Sequence, residues 1–322
     1  MSAFRETVIK LIGKYRPGLF YYKSDPAARR GISVSSIGDF VDIIHDNDKS
    51  IIRIHKNNVV YILDMINSFP YFFGSAQPVA VRRNGHIFHM VDFSTPRLHD
   101  VSGFSDFSIL CPSLTEPYVT TEQYLEFADL TEGDVVFDLG SYSALTSIGF
   151  SKAVGNSGKV LALEPDQMNF GAAERNIEAN RRINNLNNIE LIPAAVSSEP
   201  GFLQFSSEGA MGSALTSIVG KHRGASVQVE CVTLQGLVDR YALPKVDFIK
   251  MDIEGSELSV IPASGDFLRK YRPKLIIEPH PIRGEMTSVP IVKFLKTLGY
   301  TCSEIGQTGL SLPLITAYPP TV

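Results

Sequence analysis

Four apolar runs in the second half of the chain each end in a carboxylic acid. Val135-Val136-Phe137 runs into Asp138, Val160-Leu161-Ala162-Leu163 into Glu164, Phe248-Ile249-Lys250-Met251 into Asp252, and Leu275-Ile276-Ile277 into Glu278. Glu254 and His280 follow two residues after the last two of these acids. Charged side chains are rarely fully buried unless paired, so acids at four strand ends are expected on a half-exposed rim. In an open parallel sheet, ligands bind outside the carboxyl ends of the strands, near the point where strand order reverses. The chemistry such a rim supports is acceptance of hydrogen bonds from ligand hydroxyls, attraction of cations, and proton transfer by a carboxylate or imidazole.

The loop after the first of these runs, DLGSYSALTS, limits what the ligand can be. A dinucleotide fingerprint needs three glycines so that a pyrophosphate can approach backbone N–H groups at a helix start. A triphosphate loop needs a Gly-Lys-Ser/Thr ending. Here Gly140 is the single glycine, with Ser141, Tyr142, Ser143 and Ala144 after it. A nicotinamide oxidoreductase therefore lacks its fingerprint. A nucleoside ligand without phosphates makes no such demand, and S-adenosylmethionine, which carries a sulfonium and an ammonium group, suits an acidic rim. Glu164 lies 24 residues beyond Gly140, the spacing at which an acid ending the second strand accepts hydrogen bonds from two ribose hydroxyls.

Positioning these residues requires an alternating architecture. GDVVFDLG reads as a strand and LTSIGFSKAVG as a helix stopped at Gly155. GKVLALEP is the second strand, and a helix is predicted from Asp166 to about Asn180. NRRINNLNN reads as a turn and IELIPAAV as the third strand. FLQF and SVQVECV are extended pieces around a Gly/Ser-rich insert, residues 206–226. TLQGLVDRYAL reads as a helix, VDFIKMDIEG as the fourth strand, a short helix follows, and KLIIEPH is the fifth strand; a helix over 289–298 and a strand in SLPLITAYPP complete the pattern. Apolar strands alternating with helices predict an α/β fold, a Rossmann-like parallel sheet covered on both faces.

Residues 1–115 show no such alternation and are expected to form a separate α+β accessory region, with the sheet domain over 116–322. Asn84-Gly85 between apolar segments predicts a type I′ hairpin. NVVYILDMINSF, residues 58–69, reads as a helix. SFPYFFG is expected to pack this region onto the sheet domain, with a substrate-cleft wall as the alternative.

Composition bounds the rest. The 322 residues are 44% hydrophobic and 20% charged, ordinary values for a folded protein, and the net charge is −4. That gives no global pull toward nucleic acid or an anionic membrane. Three widely spaced cysteines, Cys111, Cys231 and Cys302, form no metal or disulfide pattern. The N-terminal MSAFRETVIKLIGKYRPG does not read as a secretory signal, and no apolar run reaches membrane-spanning length. A cytoplasmic location without a membrane span is expected.

The segments GDVVFDLGSYSALTS, GKVLALEPDQMNFGAAERNIEAN, IELIPAAVSS, VTLQGLVDRY, VDFIKMDIEGSELSVI and RPKLIIEPH, from about 115 to 280, resemble the FkbM family of S-adenosylmethionine-dependent methyltransferases. KMDIEGSE together with IIEPH is the specific part. The resemblance implies a seven-stranded methyltransferase sheet, S-adenosylmethionine as cofactor, and methyl transfer to a hydroxyl of a sugar, polyketide or related small molecule. It implies that Gly140, Ser141 and Tyr142 line the methionine end of the cofactor, with Asp138 also among the cofactor-binding residues. Glu164 would hold the ribose, Ala194 and Ala195 would lie near the adenine, and Asp252 would sit by the sulfonium and the acceptor. Two departures stand out: Ser141, Tyr142 and Ala144 replace the small residue, Asn and second Gly of the family loop DxGANxG, and Gln235 replaces the acid of its TLD.

An alcohol acceptor benefits from a general base, and Asp252 and His280 are the candidates. Glu254 is instead expected to bond within its own turn. Asp252 and Glu278 also have the chemistry to bind Mg²⁺, but no required metal is expected. The alternative to an enzyme is a non-catalytic binding module on a decayed methyltransferase fold.

Overall fold

The computed structural model describes residues 23–207, 209, 213–215, 225–282, 285–310 and 313–321. The N-terminal segment read as lacking a secretory signal, and most of the Gly/Ser-rich insert, lie outside these residues. Two compact units divide the chain, Met1–Tyr118 and Val119–Val322. Among the described residues no helix is long and apolar enough to cross a membrane.

The first unit is built on β1 (Ile32–Ile37), β2 (Phe40–His45), β3 (Ser50–His55), α1 (Ile62–Asn67), α2 (Phe69–Phe73), β4 (Val79–Arg83) and β5 (His86–Phe93). Its sheet runs β1-β2-β3-β5-β4, with β3 and β5 parallel and the helices in the crossover between β3 and β4. This is the connectivity of a partly open OB-type barrel. Arg83 on edge strand β4 donates to Ser35 Oγ on the opposite edge, at 3.1 Å, and to Asp42 of β2, so the sheet curls until its edges approach. The β4–β5 turn takes φ of 49° at Asn84 and 78° at Gly85, as the dipeptide requires. The helix expected over 58–69 is instead a 3-10 segment, Lys56–Tyr61, followed by α1, and Ser68 separates α1 from α2. Phe69 packs on His45 and Phe73 within the unit. A short hairpin of β6 (Arg97–His99) and β7 (Ile109–Cys111) follows.

The second unit opens with α3 (Val119–Ala128), β8 (Val135–Leu139), α4 (Leu145–Val154), β9 (Lys159–Leu163), α5 (Gln167–Asn184) and β10 (Ile189–Ile192). It then leaves the main sheet through β11 (Ala194–Val196), β12 (Gly201–Ser207), β13 (Ala214–Leu215) and β14 (Ala225–Val232), and returns through α6 (Leu234–Tyr241) to β15 (Phe248–Met251). The remainder is α7 (Glu257–Ala263), α8 (Gly265–Tyr271), β16 (Lys274–Ile277), a hairpin of β17 (Pro281–Ile282) and β18 (Glu285–Met286), α9 (Ser288–Thr297), β19 (Thr301–Gly306) and β20 (Pro313–Tyr318).

The main sheet has seven strands in the order β10-β9-β8-β15-β16-β20-β19, parallel except for β20, which runs antiparallel to both of its neighbours. Strand residues alternate between two cores. Phe137, Leu139, Leu161, Leu163, Ile249, Met251, Leu275 and Ile277 pack beneath α6 to α9, whereas Val136, Val160, Phe248 and Ile276 pack beneath α3 and α4. Both faces being buried is why these strands read as continuous apolar runs.

Three boundaries differ from expectation. Pro193, which lacks an N–H, splits the anticipated third strand: β10 stays in the main sheet, while β11 pairs in parallel with β14 in a second, four-stranded sheet. Helix α5 continues one turn past Asn180, where Asn184 donates to Asn180 Oδ1 and Arg181 and Arg182 face the negative end of the helix dipole, before Asn185 ends it in the left-handed region. Strand β19 has no clear signal because its residues, at the sheet edge, are exposed or half-buried and none is fully buried.

Strand order reverses between β8 and β15, and there the backbones nearly touch. Gly140 leaves β8 with φ 80°, and a Cβ at that position would overlap the Asp252 carbonyl oxygen. Tyr142 and Ala144 then turn through φ of 49° and 62° to start α4. Substitution of Gly140 by Ala is therefore expected to force the two strand tips apart and cost at least about 3 kcal/mol, a fall in Tm of about 6 °C or more by thermal denaturation. For the fully buried Ala144, Ala144→Gly relieves left-handed strain on the order of 1 kcal/mol. It loses a buried methyl worth about 0.8 kcal/mol, so its Tm is expected to stay within about 4 °C of the parent.

Candidate functional site

The strand reversal opens a cleft to solvent. One wall is the loop after β8 and the end of β9, with Gly140, Tyr142, Leu163 and Glu164. Facing it are Ala194, Ala195 and Val196 of β11 with Phe205 and Ser213, and Asp252, Ile253 and Glu254 follow from β15. The break at Pro193 turns two alanines toward this space, and their small side chains leave room for a flat ring.

Glu164 is only 5% exposed. Its Oε2 accepts from the Tyr142 N–H at 2.9 Å, and its Oε1 accepts from the Asp166 N–H at 2.8 Å and from Asn169 Nδ2 at 3.5 Å. Burial pushes its carboxyl up to about 8 despite these donors, with Asp166 adding to the rise. Glu164 thus couples the β8 loop to the start of α5 and lines the cleft.

Beneath the loop lies a side chain the sequence reading passed over. Lys250, 5% exposed in the middle of β15, donates to the Gly140 carbonyl at 2.8 Å and stands 3.6 Å from Asp138 and 3.5 Å from Asp252. Asp138 is fully buried, accepts from Ser147 Oγ at 2.5 Å, and is shifted upward by burial, which Lys250 and Ser147 oppose. Ser141, 4% exposed, is held by its N–H to the Leu163 carbonyl at 3.0 Å. Asp138 and Ser141 therefore support the cleft from below, whereas Gly140, Tyr142, Glu164, Ala195 and Asp252 line it.

Beside Asp252 is an ionic cluster. His280 Nε2 lies 3.6 Å from Asp252 and 3.7 Å from Glu254, and its Nδ1 lies 3.3 Å from Glu257, which is itself fully buried and accepts the Ile253 N–H at 2.9 Å. Burial alone would lower the imidazole; the three carboxylates outweigh it and raise His280 well above its ordinary value. Asp252, Glu278 and His280 each offer one ligand atom, all within 4.8 Å of one another, so this corner has the donor set for a divalent cation. Glu254 adopts φ 54° ahead of Gly255 at 98°, a turn that aims its carboxylate at His280.

Other residues act from a distance in sequence. Asn176 of α5 donates to the Ser143 carbonyl at 2.8 Å and braces the β8 loop, and Asp166 caps α5 while accepting from the insert. Buried asparagines on one helix face were the available signal, because an amide is buried only when bonded. Gln235, the other departure from the family pattern, pairs with Asp239 at 2.8 Å on α6 and does not line the cleft.

The model of the methyltransferase FkbM domain matches residues 138–302, just over half of the chain. Similar solved structures include a methyltransferase FkbM from Methylobacillus flagellatus KT, with 18% identity over 61% of this chain and 50% of that one and a TM-score of 0.42. A SAM-dependent methyltransferase from Aquifex aeolicus has 17% identity over 62% and 89%, TM-score 0.37. An O-methyltransferase from Bacillus cereus in complex with SAH has 14% identity over 64% and 82%, TM-score 0.39. Likenesses this distant carry no argument of their own, and the chain spans half the length of the Methylobacillus protein. No curated protein matches the chain. The family match runs from Asp138 near the end of β8, across every strand end that forms the cleft, to β19, and by it this chain belongs to the methyltransferase FkbM domain family.

Proposed function

We propose that the chain uses S-adenosylmethionine to methylate a hydroxyl of a small-molecule acceptor such as a sugar or polyketide. The observation that carries this reading is the cleft at the strand reversal, where a buried Glu164 faces a phosphate-free loop and Asp252 stands at the opposite strand end. The donor set fits the cofactor: Gly140 lines the cleft without a side chain, Glu164 offers acceptors to a ribose diol, Ala194 and Ala195 leave room for adenine, and acids attract the sulfonium and ammonium charges. When bound, the cofactor supplies an electrophilic methyl group on sulfur.

The chain's contribution is to position the acceptor, exclude water and take a proton. Asp252 lines the cleft and meets the acceptor hydroxyl, and His280 stands 3.6 Å behind it. The pair accepts the hydroxyl proton, with neutral His280 as its final holder. Because the surrounding carboxylates raise His280, the neutral form is populated only as pH rises through that elevated value, so turnover increases toward alkaline pH.

Substitution of His280 by Ala is expected to lower kcat about a hundredfold in a methyl-transfer assay against hydroxyl acceptors, and to leave the Kd for S-adenosylhomocysteine within about twofold of the parent. The reverse pattern would remove His280 from the proton-accepting pair.

Cofactor affinity itself should depend on pH. A ribose diol donates to ionised Glu164, whereas the free protein holds this group protonated below about 8. Binding therefore releases a proton, and Kd for S-adenosylhomocysteine is expected to fall by up to about tenfold per unit between pH 6 and 8 and to level off above. Titration calorimetry run beside NAD checks this, with Glu164→Gln expected to bind weakly at every pH. If S-adenosylhomocysteine does not bind at all, Tyr142 and Ala144 have closed the loop and the non-catalytic module takes precedence.

A further inference from the structure

Asp166 is fully buried and ionisable, and it lies outside the cleft. Its two oxygens serve different parts of the chain. Oδ1 caps α5, accepting from the N–H groups of Met168 at 2.9 Å and Asn169 at 3.2 Å. Oδ2 accepts from Ser207 Oγ at 2.7 Å, the Gly209 N–H at 3.0 Å and Ser213 Oγ at 2.8 Å. An N-cap needs only the first set. The second set is three donors from the insert converging on one oxygen, and they hold the carboxyl below its usual range against the opposing effect of burial.

The insert residues held in this way belong to the wall of the cleft. Ser213 lines it, and Phe205, two residues before Ser207 on β12, lines it too and is only 2% exposed. The backbone of Asp166 meanwhile donates to Glu164 on the opposite wall. One residue thus bonds both to Glu164 and to the stretch bearing Ser207 and Ser213.

We propose that Asp166 is a positioning residue for cofactor binding, which fixes the insert wall of the cleft through Ser207, Gly209 and Ser213 and so sets affinity without touching the ligand. This rests on the reading of the cleft as the cofactor site.

The two functions of the carboxylate can be separated. Asp166→Ser keeps a hydroxyl that caps α5 and removes the oxygen that holds the insert, and Asp166→Asn keeps the capping oxygen but turns an NH₂ donor toward three donors. The double variant Ser207→Ala/Ser213→Ala removes two of the donors and leaves Asp166 and its cap intact. Each is expected to unfold within a few degrees of the parent by thermal denaturation, yet to bind S-adenosylhomocysteine about tenfold or more weakly by calorimetry. Ser207→Thr, which retains a hydroxyl at a position outside the cleft lining, is expected to keep parental affinity. Parental affinity in the Ser207→Ala/Ser213→Ala variant overturns the proposal, as does a loss of affinity that appears only in variants whose Tm has collapsed. If the parent itself binds no S-adenosylhomocysteine, the cofactor reading fails first and the proposal falls with it. If the parent binds and the variants bind equally well, the proposal alone fails.

Discussion

The close approach of β8 and β15 at their carboxyl ends is the constraint on which the site depends. Two parallel strands that diverge in topology must still pack side by side, and here they do so with a glycine on one and a bare carbonyl on the other. Lys250 is the internal brace. A buried ammonium group is tolerated only where acceptors surround it, and its surroundings are the Gly140 carbonyl, Asp138 and Asp252, one from each end of the contact and one from beneath it. The brace fixes the loop and the acidic rim in one geometry, so that Glu164 and Asp252 face the same space.

Backbone strain gathers at the same place. Tyr142, Ala144 and Glu254 all occupy the left-handed region, which costs non-glycine residues energy that the surrounding structure must offset. The offsets are visible. Glu164 accepts the Tyr142 N–H, Asn176 holds the Ser143 carbonyl, and His280 faces Glu254. Each of these partners comes from a different element, so the loops at the rim are held by the fold rather than by their own sequence. The family pattern places a second glycine where this chain has Ala144, and the neighbouring bonds explain how an alanine persists there.

Charge at the rim is balanced rather than uniformly acidic. Lys250 beneath and His280 beside the cleft divide the carboxylates into two groups. Glu164 stands apart from both, held by neutral amide donors and largely withdrawn from water. A carboxyl in that setting is neutral or ionised according to what else donates to it, whereas Asp166, two residues on and surrounded by five donors, has no such freedom. Two acids two residues apart therefore have opposite character: burial dominates at Glu164, whereas at Asp166 the donors outweigh it.

Much of this was legible in the sequence because it is local or periodic. Apolar runs ending in Asp138, Glu164, Asp252 and Glu278 marked the strands and their carboxyl ends, and the sparse glycines of DLGSYSALTS excluded phosphate-binding loops without any coordinates. KMDIEGSE and IIEPH carried the family. What the sequence could not reveal was which residues meet across the fold. Lys250 reads as an odd cation in an apolar strand until Gly140 and the two aspartates are seen around it. Pro193 marks a break, but only strand pairing shows that β11 leaves the main sheet to build a cleft wall. The imidazole of His280 is set by Asp252, Glu254 and Glu257, and the carboxylate of Asp166 by serines more than forty residues away. Local pattern determines which elements form and where they end, because period and turn chemistry act over a few residues. Contacts between distant residues depend on how those elements pack, and only the tertiary structure decides them.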